Sequence, residues 1–441
     1  MITANSSFVN VIPIKSTCFP VEICRNGEPP VYFAHAGRGE TVARRAARVY
    51  NKPKKIEWRF FPLNDIYFDN SSTTRVCREA AKKVMETMTE NYGNPSSLHA
   101  LGFRAERAMD EARAAVAAQI GAEKEEVYFT SGGTESNNLA LFGAAHAQRR
   151  RGNHIVTTQI EHPSVLNVMK KLEQEGYEVT YLKPDEAGRI APEQIFEAVT
   201  GKTILVSMMC VNNEVGSILP IEAAAQAVRA AGAPALIHVD AVQAFGKLPL
   251  RPKEIGADLM SMSAHKIHGP KGVGALFVRR GVHLEPHTYG GGQEKDVRPG
   301  TEAMPLIAGF GAAVGALPET RTELGKMREL NDFCRGTLQK IDGVRLNSAP
   351  EALPYILNFS VPGVRAETML HFLSDKGIYL SSGSACSRGR ESHVLRAMGL
   401  PRERIASALR LSFSRYNTKE EIGVFDSALR DGLASLVRRP L

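Results

Sequence analysis

From Asp65 onward the apolar positions follow two rhythms in turn. Short apolar, β-branched runs read as strands: Glu126–Thr130 (EVYFT), His154–Gln159, Thr203–Met209, Ala235–Asp240, Asp258–Ser263 and Gly274–Val278. Between them, apolar and charged residues recur at helical spacing in Leu101–Gln119, from Gly133 to about Arg149, in Ser164–Glu175 and in Glu222–Ala231. Strands alternating with helices predict an α/β fold with a mostly parallel sheet covered on both faces.

The texture changes after about Glu319. A long helix is expected over Thr320–Ile341, then short strands near Tyr355–Val361 and Ile378–Ser381, with helices over Ala366–Lys376 and Lys419–Arg438. This predicts a smaller α+β domain. Residues 1–64 differ from both parts. They hold Pro13, Pro20, Pro29, Pro30, Pro53, Pro62 and the single Trp58, with one short basic helix expected at Val42–Tyr50.

Composition adds little to this picture, but charge does. The 441 residues are 43% hydrophobic and 23% charged, which excludes a disordered or fibrous chain. The formal net charge is +8. Residues 1–65 carry ten Lys/Arg against five Asp/Glu, so most of the excess sits in the N-terminal extension. No recognition motif accompanies it, and direct nucleic-acid binding is not expected. No run is long enough to span a bilayer. The start of the chain lacks a secretory pattern. The six cysteines form no C-x-x-C pair, so a reducing, cytoplasmic location is expected.

Four segments carry candidate chemistry. Phe129-Thr-Ser-Gly-Gly-Thr-Glu-Ser-Asn-Asn138 is a strand, a glycine turn and a helix start. Free N–H groups and hydroxyls there suit a phosphate, although Gly-Gly before a helix is also an ordinary turn. Asp240 ends a predicted strand in His238-Val-Asp-Ala-Val-Gln243, where open α/β sheets bind ligands. It serves equally as a helix N-cap. Lys266 follows the next strand within Ser263-Ala-His-Lys266. Desolvation there favours amine chemistry, and a surface lysine is the alternative. Cys386 lies in Leu380-Ser-Ser-Gly-Ser-Ala-Cys-Ser-Arg-Gly-Arg390, with Arg388 and Arg390 favouring its thiolate. The other five cysteines lack such surroundings and read as structural.

Together, these segments resemble the NifS/IscS-type cysteine desulfurases, pyridoxal-phosphate (PLP) enzymes of fold type I within the class-V aminotransferases. The resemblance runs over about 66–437. It also rests on Phe68-Asp-Asn-Ser-Ser-Thr-Thr74, Gly93-Asn-Pro-Ser-Ser-Leu-His99, Glu161-His162, Asn212-Asn-Glu-Val-Gly216, Gly290-Gly-Gly292 with Arg298-Pro-Gly-Thr301, and Leu409-Arg-Leu-Ser412.

The resemblance implies a large PLP-binding domain (80–320) with a mostly parallel seven-stranded sheet. It also implies a small C-terminal domain (321–441) and an N-terminal segment (65–79) that joins the small domain. Lys266 would hold PLP covalently and move the substrate Cα proton. Gly133, Thr134, Ser263 and His265 would bind its phosphate, with Thr301 reaching the phosphate of a neighbouring subunit in a homodimer. His162 would stack on the ring, Asp240 would keep the ring nitrogen protonated, and Gln243 and Asn213 would bond the ring oxygen or the substrate. Arg410 would clamp the carboxylate of L-cysteine. Cys386 would take the sulfur as a persulfide and pass it to an acceptor, an iron–sulfur scaffold protein or a tRNA-thiolation enzyme. No metal is implied. A selenocysteine lyase, or another PLP lyase or aminotransferase of the same fold, is the alternative. The chain departs from the pattern at Gly133, where alanine is common, and in the segment 386–395, which is about two residues short.

Overall fold

The computed structural model describes residues 65–382 and 391–436. The helix expected at Val42–Tyr50 lies outside them. Seven strands form the main sheet: β2 (Val127–Thr130), β3 (His154–Thr158), β4 (Glu178–Leu182), β5 (Thr203–Met209), β6 (Leu236–Asp240), β7 (Leu259–Ser263) and β8 (Gly274–Val278). Their order is β2-β8-β7-β6-β5-β3-β4. Only β8 runs against its neighbours, so the sheet is mostly parallel, as the alternation predicts. Strands β3, β5, β6, β7 and β8 are buried at every position. That requires cover on both faces and accounts for their unbroken apolar runs.

Helices Ala100–Ile120, Gly133–Gln148, Pro163–Gln174 and Ile221–Ala230 lie where helical spacing predicts them. Helix Met304–Gly315 escapes that reading because it is apolar nearly all round and buries residues on every face. Strand β4 escapes it too, since only Leu182 among its five residues is fully buried.

Two smaller sheets accompany the first. Strand β1 (Ile66–Tyr67) pairs in parallel with β11 (Ile378–Tyr379). Strand β10 (Ile356–Ser360) runs antiparallel between β9 (Arg345–Leu346) and β12 (Ala408–Ser412). The loop after β1 is stitched to the end of β12: Asp69 bridges Ser412, and the Ser71 N–H donates to Ser412 Oγ at 2.8 Å. The 69–74 loop and Arg410, distant in sequence, are thereby joined. Among the described residues no helix is long and apolar enough to cross a membrane.

Candidate active site

The carboxyl ends of β6 and β7 set out the chemistry. Asp240 is the last residue of β6 and 5% exposed. Its Oδ2 accepts from Asn137 Nδ2 at 2.8 Å, and its Oδ1 accepts from the Val242 N–H at 3.0 Å. Lys266 closes the single 3₁₀ turn that follows β7. Its Nζ donates to the carbonyls of Ser71 and Ser72, the latter at 2.8 Å. The Ser71 carbonyl also accepts from Gln243 Nε2 at 2.9 Å, so one backbone oxygen joins two predicted site residues.

A cavity of about 400 Å³ opens at the start of helix Gly133–Gln148. Gly133, Thr134, Ser263 and His265 line it, together with Thr73 and Lys271. Gly132 has φ +151°, a backbone conformation reserved for glycine, so the turn is set by residue type. A Cβ on Gly133 would lie 2.6 Å from Val242 Cγ2, which accounts for glycine where the family often has alanine. Ser263 Oγ is buried without a hydrogen-bond partner among the described residues. An unsatisfied hydroxyl, a helix N-terminus and a lysine in one cavity suit a phosphate. Burial, then the charges of Lys266, Lys271 and Lys247, push the His265 imidazole down to about 3. In its neutral form the ring serves an anion as a hydrogen-bond donor.

His162 caps helix Pro163–Gln174, and its Nδ1 accepts from the Ser164 N–H at 3.2 Å. Burial holds it below the ordinary histidine range against the pull of Asp240. Gln243 is buried, and its Oε1 accepts from Lys247 Nζ at 3.3 Å. Burial without an acidic partner, and then the charges of Lys266 and Arg410, push Lys247 down to about 7.

Arg410 is 1% exposed. Its fork donates to the Asn213 carbonyl, Asp69 Oδ1 and Ser72 Oγ, each at 2.8 Å, and its Nε is buried without a partner. Asn213 thus meets Arg410 through its backbone. Thr301 is exposed, in the loop after Gly300. Cys386 lies outside the described residues, as do Cys18 and Cys24. Cys77, Cys210 and Cys334 are free and buried, and burial raises all three thiols, Cys210 to about 12. Such thiols are inert, in keeping with their structural reading.

Residue patterns alone missed several members of the site. Ser164 and Lys247 carry no motif of their own, though each sits within five residues of a predicted site residue, and Asn137, Glu161 and Glu214 lie inside motifs that give them no role. Glu161 and Glu214 are buried acids. Glu161 Oε1 accepts from Thr158 and from the Met209 N–H, tying the end of β3 to the end of β5. Glu214 Oε2 accepts from Ser392 at 2.5 Å. Desolvation pushes these carboxyls up to about 8 and about 7.

The family profile of the class-V aminotransferases matches residues 66–425. The chain belongs to the class-V aminotransferase family. Within it, the chain is 42% identical to a cysteine desulfurase IscS of Methanosarcina thermophila over 361 residues, 81% of this chain and 89% of the relative. It is 44% identical to a cysteine desulfurase of Trichormus azollae over 365 residues, 82% and 90% of the two chains. A solved NifS-like protein superposes with a TM-score of 0.80 at 38% identity, covering 84% of this chain and all of that one. The activity is that of a cysteine desulfurase, in a family that depends on PLP, and a selenocysteine lyase is not favoured. The expected fold type is confirmed at the same time.

Proposed function

We propose that this desulfurase binds PLP between the 130–134 turn and the ends of β6 and β7, and moves sulfur from L-cysteine onto Cys386. The observation that carries the reading is the pairing of an anion cradle with a lysine and a carboxylate on adjacent strand ends. Gly133, Thr134, Ser263 and His265 would hold the phosphate. Asp240 would pair with the ring nitrogen, His162 would stack on the ring, and Gln243 would bond its oxygen. Bound through Lys266, PLP supplies an electron sink for the charge left when a Cα proton is removed. Displaced from PLP by the amine of the incoming cysteine, the freed Lys266 amine takes that proton, and Arg410 holds the cysteine carboxylate with Asn213 beside it. The Cys386 thiolate attacks the substrate sulfur. The Cβ–S bond breaks, its electron pair passes to the carbon skeleton and is protonated there, and alanine leaves a persulfide on Cys386.

A mobile acceptor then collects the sulfur; iron–sulfur scaffolds and tRNA-thiolation enzymes both fit. A solved relative, SspA, is described in complex with cysteine, at 34% identity and a TM-score of 0.71, which supports cysteine as the substrate here. Thr301 is exposed, which leaves it free to reach the phosphate of a second subunit. The test is Cys386→Ser in the PLP-loaded protein, assayed with L-cysteine and L-selenocysteine side by side. Retained PLP absorbance with no persulfide and little sulfide supports the reading. Desulfuration of cysteine at the parent rate overturns it.

A further inference from the structure

We propose that Asn137 and Ser164 are positioning residues that fix His162 as the tautomer with its proton on Nε2, through a hydrogen-bond chain beginning at Asp240. This deepens the functional reading above and rests on it for the roles of His162 and Asp240.

The direction of every bond in the chain is forced. A backbone N–H only donates, and the Ser164 N–H lies 3.2 Å from His162 Nδ1. Nδ1 is therefore an acceptor, and in the neutral ring the proton sits on Nε2. Ser164 Oγ lies 2.8 Å from the same Nδ1, so its hydroxyl proton points there. A hydroxyl has one proton, so toward Asn137 the Ser164 oxygen accepts. Asn137 Nδ2 lies 2.8 Å away and donates. The second Nδ2 proton goes to Asp240 Oδ2, also at 2.8 Å.

Turning the Asn137 amide round would set its oxygen against a carboxylate oxygen and a hydroxyl oxygen that is already donating elsewhere. The observed orientation leaves Asn137 Oδ1 buried with no partner, and Asn137 is 1% exposed. A buried unsatisfied carbonyl is costly. It is offset by the two bonds on the nitrogen side, to Ser164 Oγ and Asp240 Oδ2.

The groups that act on the imidazole lie on three further elements. Asp240 on β6 favours its charged form, whereas Lys266 after β7 and His393 on helix His393–Ala397 oppose it. The chain through Ser164 adds a preference among tautomers, which these charges do not supply. Protonating Nδ1 breaks the bond from the Ser164 backbone N–H and forces the bond to Ser164 Oγ to reverse. His162 Nε2 makes no hydrogen bond to any described residue, so its N–H is available to a bound molecule. His162 thus enters the reaction as a donor at Nε2, and the base role falls to Lys266.

The test uses ¹⁵N-histidine-labelled full-length protein, with and without PLP, and His162→Gln to assign the resonances. The expected parent spectrum has an unprotonated Nδ1 and a protonated Nε2. Ser164→Ala keeps the backbone N–H donor but removes the hydroxyl, so the expected change is a partial shift toward the Nδ1-protonated tautomer and a His162 titration at higher pH, because one of the two donors that favoured the neutral ring is lost. Ser164→Thr restores both readouts, and Asn137→Ala shifts them in the same direction by less. A parent spectrum with the proton on Nδ1 overturns the proposal, as does a Ser164→Ala spectrum and titration matching the parent. Neither readout uses cysteine turnover, so failure of the desulfurase reading would appear in the sulfur-transfer assay and leave these spectra unchanged.

Discussion

Arg410 is joined to Asp69 by an ion pair of 2.8 Å, across 341 positions of sequence. The arginine reads from its motif as a clamp for the substrate carboxylate. In the fold it is also the buried post to which the 69–74 loop is tied, through Asp69 and Ser72. Its Nε is left without a partner, and a buried donor without an acceptor suits an incoming carboxylate. A lysine offers a point charge and no fork. Arg410→Lys is therefore expected to raise KM for cysteine by roughly 10- to 100-fold, the loss of a charge-assisted hydrogen bond. Steady-state kinetics on the PLP-loaded variant check this; a KM equal to that of the parent would exclude the clamp.

Lys266 donates to two carbonyls of the same loop. Lys266→Ala removes the proposed covalent anchor and the proposed base together. The expected results are loss of the PLP absorbance of the purified protein and a fall in turnover of at least roughly 10²–10⁴-fold from the missing proton transfer alone. An unchanged absorption spectrum would refute the assignment.

Arg113 and Glu294 form a two-pronged pair at 2.7 and 2.8 Å, with Glu294 also accepting from the Phe129 N–H. Glu294, Lys295 and Asp296 all hold positive φ, a costly backbone for residues other than glycine. The pair therefore anchors a strained turn just before Arg298–Thr301. Arg113→Ala strands a buried carboxylate and is expected to cost roughly 3–5 kcal/mol of stability. The double variant Arg113→Met with Glu294→Gln should cost less. Thermal or urea unfolding of both variants decides, and equal losses would show that the charge pairing is not the source of the effect.

Glu161 keeps its proton in the native state up to about pH 8, whereas an unfolded chain releases it near the ordinary carboxyl value. Between these two values the native state binds the extra proton, so this group's contribution falls as pH rises. Glu161→Gln has no proton to lose. Its stability relative to the parent should therefore increase from about pH 5 to about pH 8 and level off above. Parallel melting curves across that range measure it, and a difference that is constant with pH would contradict the buried acid.

Much of this was legible in residue order. The strands β5 and β8 have the predicted bounds, and the starts of helices Thr320–Leu338 and Lys419–Ser435 fall where expected. Periodicity works for such elements because each buries a defined face. It failed for helix Met304–Gly315, which has no polar face, and for β4, which is little buried. Lys266, Asp240 and Gly133 stood out because the chemistry of a strand end or a glycine turn marks them locally, whereas the clamp role of Arg410 came only from the family resemblance.

The sequence by itself determined the α/β order, the anion-binding turn and the residue types that carry sulfur chemistry, since all of these depend on neighbours along the chain. Only the tertiary structure decided how they act on one another. Asn137 reaches Asp240 across 103 positions, Gln243 reaches Ser71 across 172, and Arg410 reaches Asp69 across 341. The physical reason is that a hydrogen bond or a desolvated charge depends on what packing brings within about 3 Å. The order of the residues does not state that, and folding sets it.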